Sequence, residues 1–299
     1  TLTAIMYYIN NVIGFSASGY NLGANDVVFH IFTRSNREVS QAVLPTVNSI
    51  STASFFSTSR PTVFTIHDFG ETVAGNFNAF LVSAYLDAAD VNVVAVDWSA
   101  GSSMYTQGLA TAPQAGRIVA SFMNILTSTF IYTEEMRLVG HGLGGHIAGI
   151  AARHATASIP YIVALDPSLH GWTHNAEILN PDDAGVVEVI HTTASLIGYD
   201  YPLGDVDFYP NGGSFQPSCS TDTNCAHNLA YVYYAESLLA ELHEDSLSFV
   251  STACSGYEQA IVMQCDGLRG VIFGGYATKT GLTGIYTFST NFVSPFAQG

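Results

Sequence analysis

With 299 residues, of which 48% are hydrophobic and 11% charged, the chain can bury a large core beneath a surface that is mostly uncharged and polar. Acidic residues number 24 against 8 basic ones, a net charge of −16, which repels phosphate and argues against nucleic acid and against electrostatic docking on anionic membranes. No apolar run reaches the length of a membrane span, and no signal peptide is visible ahead of Thr1.

Residues 1–26 are weakly patterned and read as an arm or a small helix. Val27 to Thr33 is β-rich, Ser35-Asn36-Arg37 reads as a turn, and residues 38–60 are Ser/Thr-rich with little commitment. Pro61 to Ile66 is a strand ending at His67-Asp68-Phe69-Gly70. Asn76 to Ala89 is a helix, and Val91 to Val96 a strand ending at Asp97-Trp98. Pro113 to Thr127 has Ile118, Val119, Phe122, Met123 and Leu126 at helical spacing, with Pro113 near its start. Met136 to Gly140 is a strand, Tyr161 to Leu165 another ending at Asp166-Pro167, and Val186 to Ile190 a third ending at His191-Thr192. Asn228 to Leu242 is a helix, and Gly270 to Gly275 and Gly284 to Ser289 read as two antiparallel strands.

Strands alternating with helices predict an α/β fold, a mostly parallel sheet with helices on both faces. Such sheets bind ligands beyond the carboxyl ends of their strands, where His67, Asp97, Asp166 and His191 gather. No repeat or linker interrupts the chain, so residues 1–299 are expected to form a single domain. Four cysteines fall in two local pairs, Cys219 with Cys225 and Cys254 with Cys265, which suits two disulfides in a secreted, extracellular protein; four free buried thiols are the alternative. Lys279 is the only lysine, so trypsin-like proteases find few sites, which fits either a protease-rich or alkaline fluid or mere solubility. No cofactor is expected, and no Cys/His cluster has zinc spacing, so no metal is expected either.

The stretch Val139-Gly140-His141-Gly142-Leu143-Gly144-Gly145-His146 follows a strand and opens a helix. That is the layout of a nucleophile elbow, whose central residue stands on a sharp turn at the top of a sheet. The central residue is Gly142, which tolerates the turn but offers no attacking atom.

Together with Val96-Asp97-Trp98, Leu165-Asp166-Pro167, Val189-Ile190-His191-Thr192, Asp207-Phe208-Tyr209-Pro210-Asn211-Gly212-Gly213 and Cys225-Ala226-His227, this elbow resembles the animal pancreatic-lipase family of α/β-hydrolases, which includes lipases, phospholipases A1 and insect yolk proteins. The resemblance runs from about residue 27 to about residue 250. It implies an α/β-hydrolase fold and a triad on Gly142, Asp166 and His227, with the nucleophile position vacant. The oxyanion donors would be the N–H groups of Leu143 and Phe69, and Asp68 stands where the family has glycine. The family's lid would be closed by Cys219 and Cys225, which leaves only five residues between them, so a vestigial lid and an open pocket are expected. The family's C-terminal β-sandwich domain is not expected here.

Without a hydroxyl beside His227 no acyl-enzyme forms, and a carboxylate at Asp68 opposes an oxyanion, so efficient ester hydrolysis is not expected. Two readings stay open. In one, the cavity binds a fatty acid or other acyl lipid without chemistry, as a yolk or storage protein would. In the other, adopted here, His227 backed by Asp166 takes a proton from a substrate C–H lying in the notch at Gly142, and an oxygenated fatty acid loses or shifts its oxygen, a dehydratase or lyase reaction. Weak lipase or phospholipase activity, or a nucleophile knockout, is the remaining alternative. His141, His146, His67 and His191 are expected to be structural, and Asp207 to Gly213 to be a tight loop near the substrate mouth.

Overall fold

The computed structural model describes residues 20–129, 136–242 and 247–299. The expected N-terminal arm or helix therefore falls largely outside the described residues. In chain order the elements are β1 (Val28–Phe32), β2 (Gln41–Val43), α1 (Val47–Ser51), β3 (Thr62–Ile66), α2 (Asn76–Ala88), β4 (Asn92–Asp97), α3 (Tyr105–Thr129), β5 (Met136–His141), α4 (Leu143–His154), β6 (Tyr161–Leu165), β7 (Val187–Ile190), β8 (Val206–Pro210), α5 (Thr223–Ala240), β9 (Val250–Cys254), α6 (Tyr257–Ile261), β10 (Arg269–Ile272) and β11 (Gly284–Phe288).

The strands form one sheet in the order β10-β9-β11-β8-β7-β6-β5-β3-β4-β1-β2. From β4 to β11 every pairing is parallel, and antiparallel strands close both margins. The apolar runs of β3 and β6 are explained by this placement: both are buried along their whole length, because helices cover both faces of the sheet. Successive side chains alternate between faces. Phe64, Leu138 and Ile162 join the core under α3 and α4, with Phe122, Ile147 and Ile150. Val63, Val139 and Val163 face the other way, toward Phe77 and Tyr85 of α2 and Ala230 and Tyr234 of α5. This is the α/β-hydrolase arrangement. No described helix is long and apolar enough to cross a membrane.

Three expectations need correction. The helix holding Pro113 begins at Tyr105, so the proline lies inside it rather than near its start. Thr111 explains the extra turns: it is buried, and its hydroxyl donates to Gly101 O at 2.8 Å, a tertiary anchor that outweighs the local break. The last two strands are not neighbours, since β9 separates β10 from β11 and β11 runs parallel to β8. Asp207 lies in strand β8 rather than in a loop, buried, accepting from Leu203 N and Gly204 N and facing His191 Nε2.

Disulfides join Cys219 to Cys225 and Cys254 to Cys265. The first spans the short stretch between the helical turn Pro217–Cys219 and the first turn of α5, and so pins the helix that carries His227.

Candidate active site

Because β3, β5 and β6 run parallel, His67-Asp68, Gly142 and Asp166 all emerge at one edge of the sheet. Gly142 caps α4 with φ 56° and ψ −117°, a backbone conformation that disfavours side chains. The small residues around it let strand and helix touch. A Cβ on Gly144 would lie 2.0 Å from Ile66 O, and one on Gly140 would lie 2.1 Å from Gly144 O.

Asp166 is buried and also has a positive φ. Its Oδ1 accepts from the N–H groups of Thr192 and Thr193 at 2.7 and 3.0 Å. Its Oδ2 accepts from the Thr193 hydroxyl and from His227 Nδ1, the latter at 2.6 Å. The imidazole is thereby held with Nδ1 protonated and Nε2 turned toward Gly142. The sequence reading brought Asp166 and His227 together but missed Thr192 and Thr193, whose backbone N–H groups any residue type supplies and of which only the Thr193 hydroxyl depends on residue identity.

The notch at Gly142 is not vacant, which corrects the expectation. The Asp68 carboxylate fills it: a Cβ on Gly142 would lie 2.2 Å from Asp68 Cγ and 2.4 Å from each of its oxygens. Asp68 Oδ1 accepts from Leu143 N at 2.7 Å, so the family's oxyanion donor is already engaged. Asp68 Oδ2 lies 3.1 Å from His227 Nε2. The loop is braced from behind, since His67 Nδ1–H donates to Asp68 O at 2.7 Å and Trp98 Nε1–H donates to His67 O at 2.9 Å. Residues 68 and 142 are therefore matched in volume, the carboxylate of one lying where a side chain on the other would stand. A missing side chain and an extra one at adjacent sites were the signal in the sequence; their compensating volumes show it.

His227 thus stands between two carboxylates. Burial opposes its charge, yet the hydrogen bonds and charges of Asp166 and Asp68 prevail and raise its pKa to about 10. Burial likewise disfavours the charged forms of Asp68 and Asp166, but hydrogen bonding to His227 and its charge hold both below the usual carboxylate range. Asp68 is consequently ionised, not a protonated donor. The resting cluster is a buried imidazolium flanked by two carboxylates, charges whose desolvation their mutual hydrogen bonds offset.

His141 stacks on His227 with ring centroids 4.2 Å apart and planes inclined at 32°. Its Nε2 faces His227 O at 3.2 Å, and its buried Nδ1 has no partner among the described residues. Burial first, then the neighbouring His227 charge, pushes its pKa down to about 3, so it is neutral. Asp68, His141 and His227 offer ligand atoms within 4.8 Å of one another. His141 Nε2 is directed at His227 O, however, and both ring nitrogens of His227 are engaged by carboxylates, so the trio does not fit a metal.

His146 and His191 brace the scaffold, as His67 does. His146 donates to Ser168 O, accepts from Leu179 N and stacks on Trp172. His191 bridges Tyr199 O and Asp207 and stacks on Tyr209. Asp97 Oδ1 accepts from Ser99 N and lies 3.7 Å from His67 Nε2.

Phe69 is 39% exposed and meets Tyr105 edge-on at 5.2 Å, while Tyr231 packs against His141 and the half-exposed Phe80. Aromatic rings thus adjoin the charged cluster at Asp68, which Phe69 follows in the chain, and at His141. The way in is narrower than the vestigial lid suggested, for the Asp68 and His227 side chains are only 6% and 9% exposed.

A family profile described as Lipase matches residues 12–293. The chain is 30% identical to pancreatic lipase-related protein 2 of Cavia porcellus over 241 residues, 77% of this chain and 54% of that protein. It is 32% identical to pancreatic triacylglycerol lipase of Myocastor coypus over 257 residues, 77% of this chain and 55% of that protein. It is 31% identical to inactive pancreatic lipase-related protein 1 of Canis lupus familiaris over 258 residues, again 77% of this chain and 54% of that protein. The chain spans about half the length of these relatives.

Proposed function

The chain belongs to the lipase family, and we propose that it is a secreted member that binds acyl lipid and has given up ester hydrolysis. The Asp68 carboxylate standing in the nucleophile's space carries this reading. It blocks hydrolysis twice. No hydroxyl is present to form an acyl-enzyme, and the Leu143 N–H that would stabilise an oxyanion is bound to a permanent negative charge. Loss of one triad member leaves at most ~10³–10⁴-fold over water, and loss of one oxyanion donor removes a further ~10²–10³-fold.

The proton-abstraction chemistry expected from the sequence, with its dehydratase or lyase outcome, is set aside on the same observation. That reaction needed an empty notch and an imidazole with a free lone pair. Here the notch is full, and Nε2 carries a proton aimed at Asp68. With its pKa raised by the two carboxylates, the ring is held in its charged form at pH 7, which leaves little neutral base.

Acyl binding is supported by the adjoining aromatic rings, Phe69 with Tyr105 and Phe80 with Tyr231, and by relatives named as lipases. A relative named as inactive shows the same family tolerating a silent member. The two disulfides support secretion. The test pairs titration with a fluorescent fatty acid against release of butyrate from tributyrin. Saturable binding with cleavage no faster than in buffer is expected. Tributyrin cleavage that disappears in His227→Ala would restore a hydrolase and overturn the proposal, and so would absence of binding.

A further inference from the structure

We infer that Asp68 is itself a nucleophile and that the site opens epoxides carried on acyl chains to vicinal diols. This rests on the reading that acyl lipid reaches the site, and it goes beyond that reading by assigning chemistry. A side chain inserted only to silence a site would need to fill space. Asp68 does more: each oxygen has a distinct, directed partner. Oδ1 is held at 2.7 Å by Leu143 N–H, and Oδ2 faces His227 Nε2 at 3.1 Å. His227 is in turn fixed by Asp166 at 2.6 Å. The order carboxylate, imidazole, carboxylate reproduces a nucleophile, an acid–base group and its orienter, with the attacking atom supplied from the loop after β3 instead of from the elbow.

The chemistry of a carboxylate restricts the substrate. Attack on an ester carbonyl would give an anhydride, more reactive than the ester it came from, so the step would run backwards. Attack on a saturated carbon gives a stable ester but needs a leaving group. A strained epoxide supplies one in its own ring oxygen, provided a proton arrives as the C–O bond breaks. His227 in its charged form holds that proton beside the attacking oxygen.

The steps balance. Asp68 Oδ2 attacks an epoxide carbon from about 3 to 3.5 Å. The ring C–O bond breaks, and its oxygen takes the proton from His227 Nε2, leaving a hydroxyalkyl ester on Asp68 and a neutral imidazole. Esterification has removed one of the two charges that kept His227 protonated, so the ring is now a base held by Asp166. It takes a proton from water, whose oxygen adds to Asp68 Cγ. The resulting oxyanion lies on Oδ1, where Leu143 N–H already points. Collapse expels the diol oxygen, which recovers its proton from His227, and the carboxylic acid then passes its own proton to the ring. Epoxide and water have become diol, and the resting ion pair is restored.

The test uses excess native protein and epoxystearic acid in oxygen-18 water, in a single turnover. The expected result is diol without the heavy isotope and a peptide containing Asp68 that has gained one heavy oxygen. Asp68→Asn, which keeps the shape, should lower diol formation on the order of 10⁴-fold. Heavy oxygen in the first-turnover diol would mean that water attacks directly and would overturn the nucleophile. Epoxystearic acid bound but unchanged would overturn the inference and leave lipid binding standing. Absence of both binding and diol would overturn both.

Discussion

Restoring a serine at the elbow should damage the protein instead of reviving it. In Gly142→Ser the new Cβ would lie 2.2 Å from Asp68 Cγ, so the carboxylate must leave. Its departure breaks the bonds to Leu143 N and His227 Nε2 and strands one charge of a buried group, which costs about 3–5 kcal/mol. A side chain at φ 56° adds about 1–3 kcal/mol of backbone strain. At about 2 °C per kcal/mol for a chain of this size, the thermal midpoint should fall by about 8–16 °C. Asp68→Gly alone carries the partner-loss cost. The double variant has no clash, and its serine hydroxyl returns a partner to His227, so it should be no less stable than Gly142→Ser by itself. That implies a favourable coupling of about 3 kcal/mol. Urea denaturation of the two single variants and the double one measures it, with tributyrin cleavage as a second readout expected only in the double. Costs that simply add, or a Gly142→Ser protein as stable as the native one, would refute the idea that the carboxylate occupies the serine's place.

The ion cluster should also show in pH dependence. Because the His227 pKa is raised from 6.5 to about 10, its stabilisation is complete below pH 6.5 and is lost as pH climbs through 10. Denaturation midpoints should therefore decline over that interval in the native protein and much less in His227→Gln. The Asp68 and Asp166 contributions have the opposite sense, present above the ordinary carboxylate pKa of 3.8 and lost as pH falls through their lowered values. Nitrogen NMR of the His227 ring should report an imidazolium at pH 8, and Asp68→Asn should shift its titration downward. Gly144→Ala should fail to accumulate as folded protein, since its methyl would overlap Ile66 O, a backbone atom that cannot yield; a normal circular dichroism spectrum for that variant would contradict the packing. Replacing both Cys219 and Cys225 by serine should cost about 2–3 kcal/mol, read by urea denaturation, because only a short loop is closed.

The central parallel strands were legible because strands buried on both faces read as near-continuous apolar runs, as β6 does outright and β3 and β4 do apart from Thr62, Thr65 and the two ends of β4. Strand β8 was not, because Val-Asp-Phe-Tyr-Pro carries a charge and a proline, and long-range pairing with β7 and β11 makes it a strand. Asp207 is stable there through Leu203 N, Gly204 N and His191, none of which local periodicity can reveal. At the site, Asp68 and Asp166 were readable from their places after strands, and His227 came from the family resemblance through Cys225-Ala226-His227, not from any local pattern. Which way Asp68 points was not, since a residue following a strand can face the hole, the solvent or the neighbouring turn, and only the vacancy at Gly142 decides among them.

The placement of β11 between β8 and β9 bears on how the molecule comes into being. Residues 284–288 sit between β8 and β9, so during synthesis β8 must wait with a bare edge until those residues have left the ribosome. The interval before that strand arrives is when helper proteins in the cell have most to do.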